Sequence, residues 1–94
     1  MIVIWRNYAK YELEECTDYI AERSSIDTAK KWRNKIEKSL KTLETFPKAG
    51  RKIGKYRKWQ VHKNYYVIYE PCDEFVEIIR FRHSKRKPLV YKAK

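Results

Sequence analysis

The sequence predicts an α+β fold in which a helical hairpin packs on a small antiparallel sheet. Three observations predict it. Hydrophobic residues recur at helical spacing in two consecutive segments before residue 46, short runs of β-formers separated by turn residues fill positions 56–83, and a four-residue run of β-formers opens the chain. In chain order these elements read β-α-α-β-β-β. The 94 residues are enough for one domain, residues 1–94, with a basic tail at 84–94.

The chain opens with a predicted strand followed by an amphipathic helix. Residues Ile2 to Trp5 are consecutive β-formers, and Asn7 is the predicted N-cap of the first helix. The apolar residues of this helix have the spacing of a single face: Ala9, Leu13, Cys16 and Ile20. Since the remaining positions are mostly polar or charged, we expect this face to pack into the core.

A second helix follows at once, which predicts a helical hairpin. Ser25 or Asp27 is its predicted N-cap, and it ends before Phe46 and Pro47. Its apolar face comprises Ala29, Trp32, Ile36, Leu40 and Leu43. This face also predicts core rather than a surface for a cofactor or a partner helix.

The helical spacing of apolar residues ends before Pro47. A loop that contains both glycines, Gly50 and Gly54, is predicted to follow. Three antiparallel strands are predicted beyond it, at Tyr56 to His62, residues 65–70 and Phe75 to His83. Strict alternation along the last strand places Ile79, Phe81 and His83 on one face, and Ile78, Arg80 and Arg82 on the other. One face of the sheet is therefore expected to pack on the helices, and the other to carry arginine.

Charge is concentrated in this second half. Residues 1–46 hold nine Lys/Arg against eight Asp/Glu, whereas residues 47–94 hold fourteen against four. The halves carry net charges of +1 and +10. A basic half beside a neutral half is typical of a protein that meets a polyanion or an acidic partner on one face.

Other classes of protein are disfavoured by what the sequence contains. Its apolar runs are too short for a membrane span or a signal peptide, so we expect a cytoplasmic protein without a membrane partner. Cys16 and Cys72 lack metal-ligand spacing, which favours inert thiols over a disulfide or a zinc site. We expect no metal and no cofactor.

Four segments, in this order and spacing, resemble the RelE/ParE superfamily of bacterial toxins. They are the N-terminal strand with its helix, the Pro-x-x-Gly-Arg loop at 46–51, the tyrosine-rich strand at 65–70, and the Arg-His-x-x-Arg ending at 79–88. The resemblance covers nearly the whole chain. It implies the toxin of a type II toxin–antitoxin pair, neutralised by an antitoxin whose acidic or amphipathic C-terminal segment wraps it. Operator DNA would be bound only by the toxin–antitoxin complex.

The resemblance leaves two mechanisms open. RelE-like members are ribosome-dependent endoribonucleases that cut mRNA, whereas ParE-like members poison DNA gyrase. Cleavage through the RNA 2′-hydroxyl needs a proton acceptor, cations at the phosphate and an acid for the leaving oxygen. The nuclease candidates here are Arg82, His83, Arg86 and Tyr91, with His83 as the acid or base because histidine is the residue type that ordinarily serves as acid or base near neutral pH.

One departure favours the ParE-like interpretation. RelE-like nucleases carry an arginine directly after the first tyrosine of the tyrosine-rich strand, and Tyr66 stands there in this chain. Whether Arg57 or Lys58 matches the nuclease lysine pair depends on an uncertain strand register. Under the gyrase interpretation the target-binding candidates are Arg51, Arg57, Lys58, Tyr66, Arg80, Arg82 and Arg86. A basic nucleic-acid-binding module without toxicity is a third, weaker alternative.

Overall fold

The computed structural model describes residues 1–85 and confirms the α+β fold. Two helices and five strands follow one another in the chain. Their bounds are β1 Ile2–Trp5, α1 Asn7–Arg23, α2 Ile26–Thr45, β2 Arg51–Ile53, β3 Tyr56–His62, β4 Tyr65–Pro71 and β5 Phe75–His83. The predicted strands are present at their predicted places, and β2 is an addition to them.

The five strands form one sheet in the order β1-β5-β4-β3-β2. Strands β2 to β5 are antiparallel neighbours, whereas β1 pairs with β5 in parallel, with Trp5 opposite Ile78. The sheet is therefore mixed rather than purely antiparallel. The helical hairpin covers one face, which we call the helix side, and we call the opposite face the outer face.

Strand β2 was predicted to be part of a loop. It has only three residues, and glycines precede and follow it, so its sequence carries no strand period of its own. Gly54 has a φ of +61°, the left-handed conformation that glycine adopts without strain, and it lies in the turn that joins β2 to β3. Pairing with β3, in which Ile53 lies opposite Tyr56, is what makes these residues a strand.

The core lies between the helical hairpin and the sheet. Every residue of the predicted α2 stripe is buried, as are Ala9 and Leu13 of α1. Of the two predicted caps, Ser25 is the one that caps α2, since its Oγ accepts the backbone N–H of Thr28 at 3.0 Å. The predicted Asn7 cap is wrong: Arg6 occupies the N-cap position of α1, where its backbone N–H donates to the Ile78 carbonyl of β5 at 3.0 Å. Docking of the chain on the sheet, rather than a capping side chain, sets the start of this helix.

A β-bulge changes the faces predicted for β5. Ile68 lies opposite Arg80, but the next residue of β4, Tyr69, lies opposite Ile78, which leaves Ile79 as an extra residue on β5. Ile78 therefore belongs to the buried core together with Phe81, and Ile79 does not. Strict alternation had predicted the reverse, with Ile79 on the same face as Phe81 and Ile78 on the other face. Within residues 1–85, neither helix is long and apolar enough to cross a membrane.

Candidate functional site

The outer face of the sheet carries cationic side chains arranged around a tyrosine. Strand register aligns Arg51 with Lys58 and Lys58 with Ile68, and in the neighbouring row it aligns Gln60 with Tyr66 and Tyr66 with Arg82. Directly paired residues share a face of a sheet. Arg51, Lys58 and Arg82, contributed by three different strands, therefore lie on one face. We call these three residues the cationic triad.

Tyr66 lies at the centre of this face. It is only 5 % exposed, and Lys58 holds its Nζ 4.3 Å from the centroid of the Tyr66 ring. Such a cation–π contact fixes the ammonium group over the ring and contributes about 0.5–1 kcal/mol at a surface site. Tyr66 thus holds the Lys58 ammonium group on the outer face.

Gln60, which the sequence did not single out, joins the end of β5 to β3. Its Nε2 donates to the Ser84 Oγ at 3.0 Å and to the His62 carbonyl at 2.9 Å. Ser84 is also held through its backbone N–H, which donates to the Asn64 carbonyl at 2.7 Å. These bonds fix the chain directly after Arg82. No hydrophobic or charge pattern marks such a residue, because its role depends on strand register.

The register places Arg57 and Lys58 on opposite faces of the sheet. Lys58 lies on the outer face, whereas Arg57 is paired with Tyr69, whose ring is part of the core. The Arg57 guanidinium donates through Nη1 to the carbonyls of Gly50 at 2.9 Å and Lys48 at 3.1 Å. Arg57 therefore holds the loop before β2, on the helix side, and Lys58 is the better candidate for target contact.

The Tyr69 side chain, on β4, also holds the loop before β2. Its hydroxyl accepts the Gly50 N–H at 2.9 Å and donates to the Pro47 carbonyl at 2.7 Å. Burial raises the pKa of this phenol, while the bond from Gly50 and the charge of Arg57 oppose the shift. A Cβ on residue 50 would lie 2.6 Å from the Lys58 carbonyl oxygen, so only glycine fits here. The Pro-x-x-Gly-Arg motif is thus a hydrogen-bonded loop that places Arg51 at the start of β2.

Arg80 is bound within the protein itself. Its guanidinium donates to both carboxylate oxygens of Glu12 on α1, at 2.9 and 3.0 Å, and also lies 4.7 Å from the ring centroid of Tyr8. The same Glu12 carboxylate accepts the backbone N–H of Phe81 at 3.1 Å. Bidentate pairing of this kind fixes geometry. Arg80 connects α1 to the edge of β5, whereas Arg82 is paired by register with Tyr66 on the outer face.

The two histidines lie on the helix side, around Tyr65. The His83 ring is 4.8 Å from the Tyr65 ring and the His62 ring 5.9 Å from it, measured between centroids. Tyr65 itself stacks on the buried Phe81 at 5.4 Å. The Nδ1 atom of His83 accepts the backbone N–H of Lys85 at 3.0 Å. Burial lowers the pKa of His62, and the charges of Lys35 and Lys63 lower it further.

Two predicted site residues, Arg86 and Tyr91, lie outside the described residues. In the part of the chain that the structure does describe, no group of three or more His, Cys, Asp or Glu residues is placed to hold a metal ion. Cys16 and Cys72 are both thiols that take no part in a disulfide.

Comparison of the sequence with known protein families identifies the family of this chain. Residues 3–88 match the family described as ParE toxin of type II toxin-antitoxin system, parDE. The chain belongs to the ParE toxin family. It is therefore the toxin component of a type II toxin–antitoxin system, and an antitoxin is its partner.

A solved structure has the same fold as this ParE toxin. It is described as the chromosomal ParDE TA system from P. aeruginosa, and it matches with a TM-score of 0.78 at 18 % sequence identity. The match covers 90 % of this chain and 97 % of the other. No curated protein matches the sequence. At this identity the structural likeness supports the fold alone.

Proposed function

We propose that this ParE toxin arrests growth in the cytoplasm by binding DNA gyrase, and that the cationic triad makes the contact without performing chemistry. Gyrase is the target that the ParE-like resemblance implies. The face itself is suited to a polyanion, because Arg51, Lys58 and Arg82 contribute positive charge from three strands of one sheet. DNA held by gyrase and an acidic patch of the enzyme both have the required sign of charge.

The observation that carries this proposal is the position of the histidines. Cutting RNA through its 2′-hydroxyl requires an acid or base within hydrogen-bond reach of the phosphate that the cations bind. His83 packs against Tyr65 on the helix side, whereas Lys58 lies over the Tyr66 ring on the outer face. The sheet therefore separates the His83 imidazole from the Lys58 ammonium group that would bind the phosphate. Such an arrangement favours binding over catalysis.

Tyr66 supports the same conclusion. The position after the first tyrosine of β4 holds a buried ring rather than an arginine, and its contact with Lys58 directs that lysine along the face. An ammonium group held over a ring remains able to contact phosphate or carboxylate oxygens on its open side. The outer face therefore has the properties of a preformed electrostatic contact surface.

The alternative, a RelE-like messenger nuclease, is tested by primer extension. A defined messenger is incubated with the purified protein, with and without translating ribosomes. We expect no new cuts in either reaction, from protein that still arrests growth when it is expressed. Cuts that appear only with ribosomes would overturn the proposal and would make His83, Arg86 and Tyr91 candidates for catalysis.

A further inference from the structure

The two helices carry opposite net charges. α1 contains two Lys/Arg against five Asp/Glu, whereas α2 contains six Lys/Arg against three Asp/Glu. These charges cancel in the count for residues 1–46, so the near-neutral first half of the chain contains a cationic helix. α2 is therefore a second region, apart from the cationic triad, with a charge suited to an anionic partner.

The charges of α2 are sorted between its two flanks. On one flank Glu37 pairs with Arg33 at 3.8 Å. Lys31, Lys35 and Lys38 have the spacing i, i+4 and i+7, so they share the other flank, and all three are exposed. Like charges at this spacing destabilise a helix, and a polyanion bound across them would remove the repulsion.

These lysines border the end of β3. Trp59 of β3 donates through Nε1 to the Ser39 Oγ at 3.2 Å, and Ser39 lies one turn after Lys35 on the same flank. Lys63 follows β3 directly, and its charge and that of Lys35 both lower the pKa of His62. Helix and turn therefore bring their lysines to one place. We call these exposed side chains the lysine flank: Lys31, Lys35, Lys38 and Lys63.

The lysine flank has no acidic partner in the described part of the chain. Within residues 1–85 the ion pairs are those of Arg6, Arg33 and Arg80 with glutamates, and no flank lysine takes part in them. Ammonium groups gathered on one surface without carboxylates attract an anion of several charges, because the release of that anion's counterions favours binding.

The side chains of this surface favour duplex over single-stranded nucleic acid. Lysine contacts phosphate as a compact point charge. A single strand is bound by aromatic rings on which its bases stack, and the exposed Tyr8, Tyr11 and Tyr19 lie on α1 instead. The helix from Lys31 to Lys38 rises by about 10 Å at 1.5 Å per residue, which matches about three phosphate steps along one strand of a duplex.

From these observations we propose that the lysine flank binds the phosphate backbone of double-stranded DNA without reading its sequence. The toxin itself then has affinity for DNA, in addition to the operator binding that the resemblance assigns to the toxin–antitoxin complex. Since α2 lies on the helix side, this contact is separate from the outer face that is proposed to bind gyrase.

Charge reversal on the two flanks of α2 provides the test. One full-length variant carries Lys31→Glu and Lys38→Glu. The matched control carries Lys30→Glu and Lys41→Glu, two exposed lysines of the same helix outside the lysine flank. Both change the net charge equally, and circular dichroism reports their folding. The probe is a fluorescein-labelled duplex of arbitrary sequence, and its Kd is measured by fluorescence anisotropy at several concentrations of potassium chloride.

The salt dependence of the affinity counts the phosphate contacts, since each contact adds about 0.9 to the slope of log Kd against log salt concentration. We expect the flank variant to bind the duplex at least about tenfold more weakly, with a slope lower by about 1.8. The control should keep the natural slope and stay within about threefold of the natural affinity. Equal losses in the two variants would overturn the proposal, because they would show that the duplex responds to net charge alone.

A second variant keeps the test decisive if charge reversal unfolds the helix. Lys31→Gln with Lys38→Gln removes the same two charges and keeps side chains that favour a helix. We expect it to lower the slope by the same amount, with Lys30→Gln and Lys41→Gln as its control. An unchanged slope in the folded glutamine variant would contradict phosphate contact by these lysines.

Competition distinguishes DNA from other polyanions. We expect unlabelled duplex to displace the probe at lower concentration than a single strand of the same length or polyglutamate does. More effective displacement by the single strand or by polyglutamate would overturn the assignment to duplex DNA. The titration contains no gyrase, and the flank variant is expected to keep growth arrest, so this proposal and the proposed target can fail independently.

Discussion

Tyr69 holds Gly50 by accepting its backbone N–H at 2.9 Å, nineteen positions away in the chain. The phenol also donates to the Pro47 carbonyl, and Arg57 donates to the carbonyl of Gly50 itself. Two motifs that the sequence offers separately, the Pro-x-x-Gly-Arg loop and the tyrosine-rich strand, are therefore halves of one hydrogen-bonded unit. That unit fixes the start of β2 and with it the position of Arg51.

Replacing Tyr69 by phenylalanine is expected to destabilise the fold. The substitution keeps the ring but removes the hydroxyl, which leaves the Gly50 N–H and the Pro47 carbonyl without their partner. Leaving buried polar groups unpaired costs about 1–3 kcal/mol. Urea denaturation measures the loss, and the exposed Tyr19→Phe is the control, for which we expect a change below about 0.5 kcal/mol. Equal stabilities would show that the loop is held without the phenol.

Gly50→Ala and Gly54→Ala are expected to differ for a steric reason. The new Cβ at position 50 would lie 2.6 Å from the Lys58 carbonyl oxygen and 2.7 Å from the Tyr69 hydroxyl, so the loop must move, at a cost of about 1–3 kcal/mol. The Cβ at position 54 meets nothing within 4 Å, and only its positive φ is costly, by about 1 kcal/mol. Thermal melts rank the two. A milder effect at Gly50 would contradict the packing described for the loop.

The ion pair between Glu12 and Arg80 is expected to stabilise the attachment of α1 to β5. Their side chains are 12 and 23 % exposed, so the pair is only partly screened by water. We expect Glu12→Gln to cost about 2 kcal/mol, between the values for exposed and fully buried pairs. The control is Glu37→Gln, which removes an exposed pair with Arg33 at 3.8 Å and is expected to cost less than about 0.5 kcal/mol. Chemical denaturation compares them, and similar losses would argue against a structural role for Glu12.

We expect the double variant Lys58→Glu with Arg82→Glu to abolish growth arrest. It reverses two charges of the cationic triad and so removes the charge that is proposed to contact the target. The control reverses Lys31 and Lys38 on the exposed face of α2, which changes the net charge by the same amount. Colony counts after induction report toxicity, and circular dichroism reports folding. Full toxicity in a folded double variant would exclude the outer face as the target contact.

His62 is expected to make stability depend on pH. Burial, Lys35 and Lys63 lower its pKa in the folded protein, so between that pKa and the unfolded value of about 6.5 the unfolded chain binds more protons. Stability from this residue is present above about pH 6.5 and is lost as the pH falls toward the folded pKa. His62→Gln should therefore lose less stability than the natural chain between pH 7.5 and 5.5, as measured by melting temperature. Identical losses would contradict the lowered pKa.

The sequence predicted the parts of the fold that have a hydrophobic period. Both helical stripes and the strands around Tyr65 and Phe81 follow from spacing alone, and the structure confirms them. The three-residue β2 and the bulge at Ile79 were missed because each is defined by pairing with another strand. A pattern read along one chain does not contain that information.

The site was predictable in composition but not in arrangement. The sequence identified Arg51, Lys58, Tyr66 and Arg82 as candidates for target binding, and these stand together on the outer face. It did not distinguish them from Arg57 and Arg80, whose guanidinium groups bind the protein's own carbonyls and carboxylate. Only three-dimensional contacts show that these two arginines hold the fold.

The central claim is that this ParE toxin acts on gyrase through its outer face. The most direct measurement is supercoiling of relaxed plasmid by purified gyrase, with the natural chain, the Lys58→Glu and Arg82→Glu double variant and the Lys31→Glu and Lys38→Glu control added in turn. We predict inhibition by the natural chain and the control, and none by the double variant. Full gyrase activity in the presence of natural protein that still arrests growth would contradict the account.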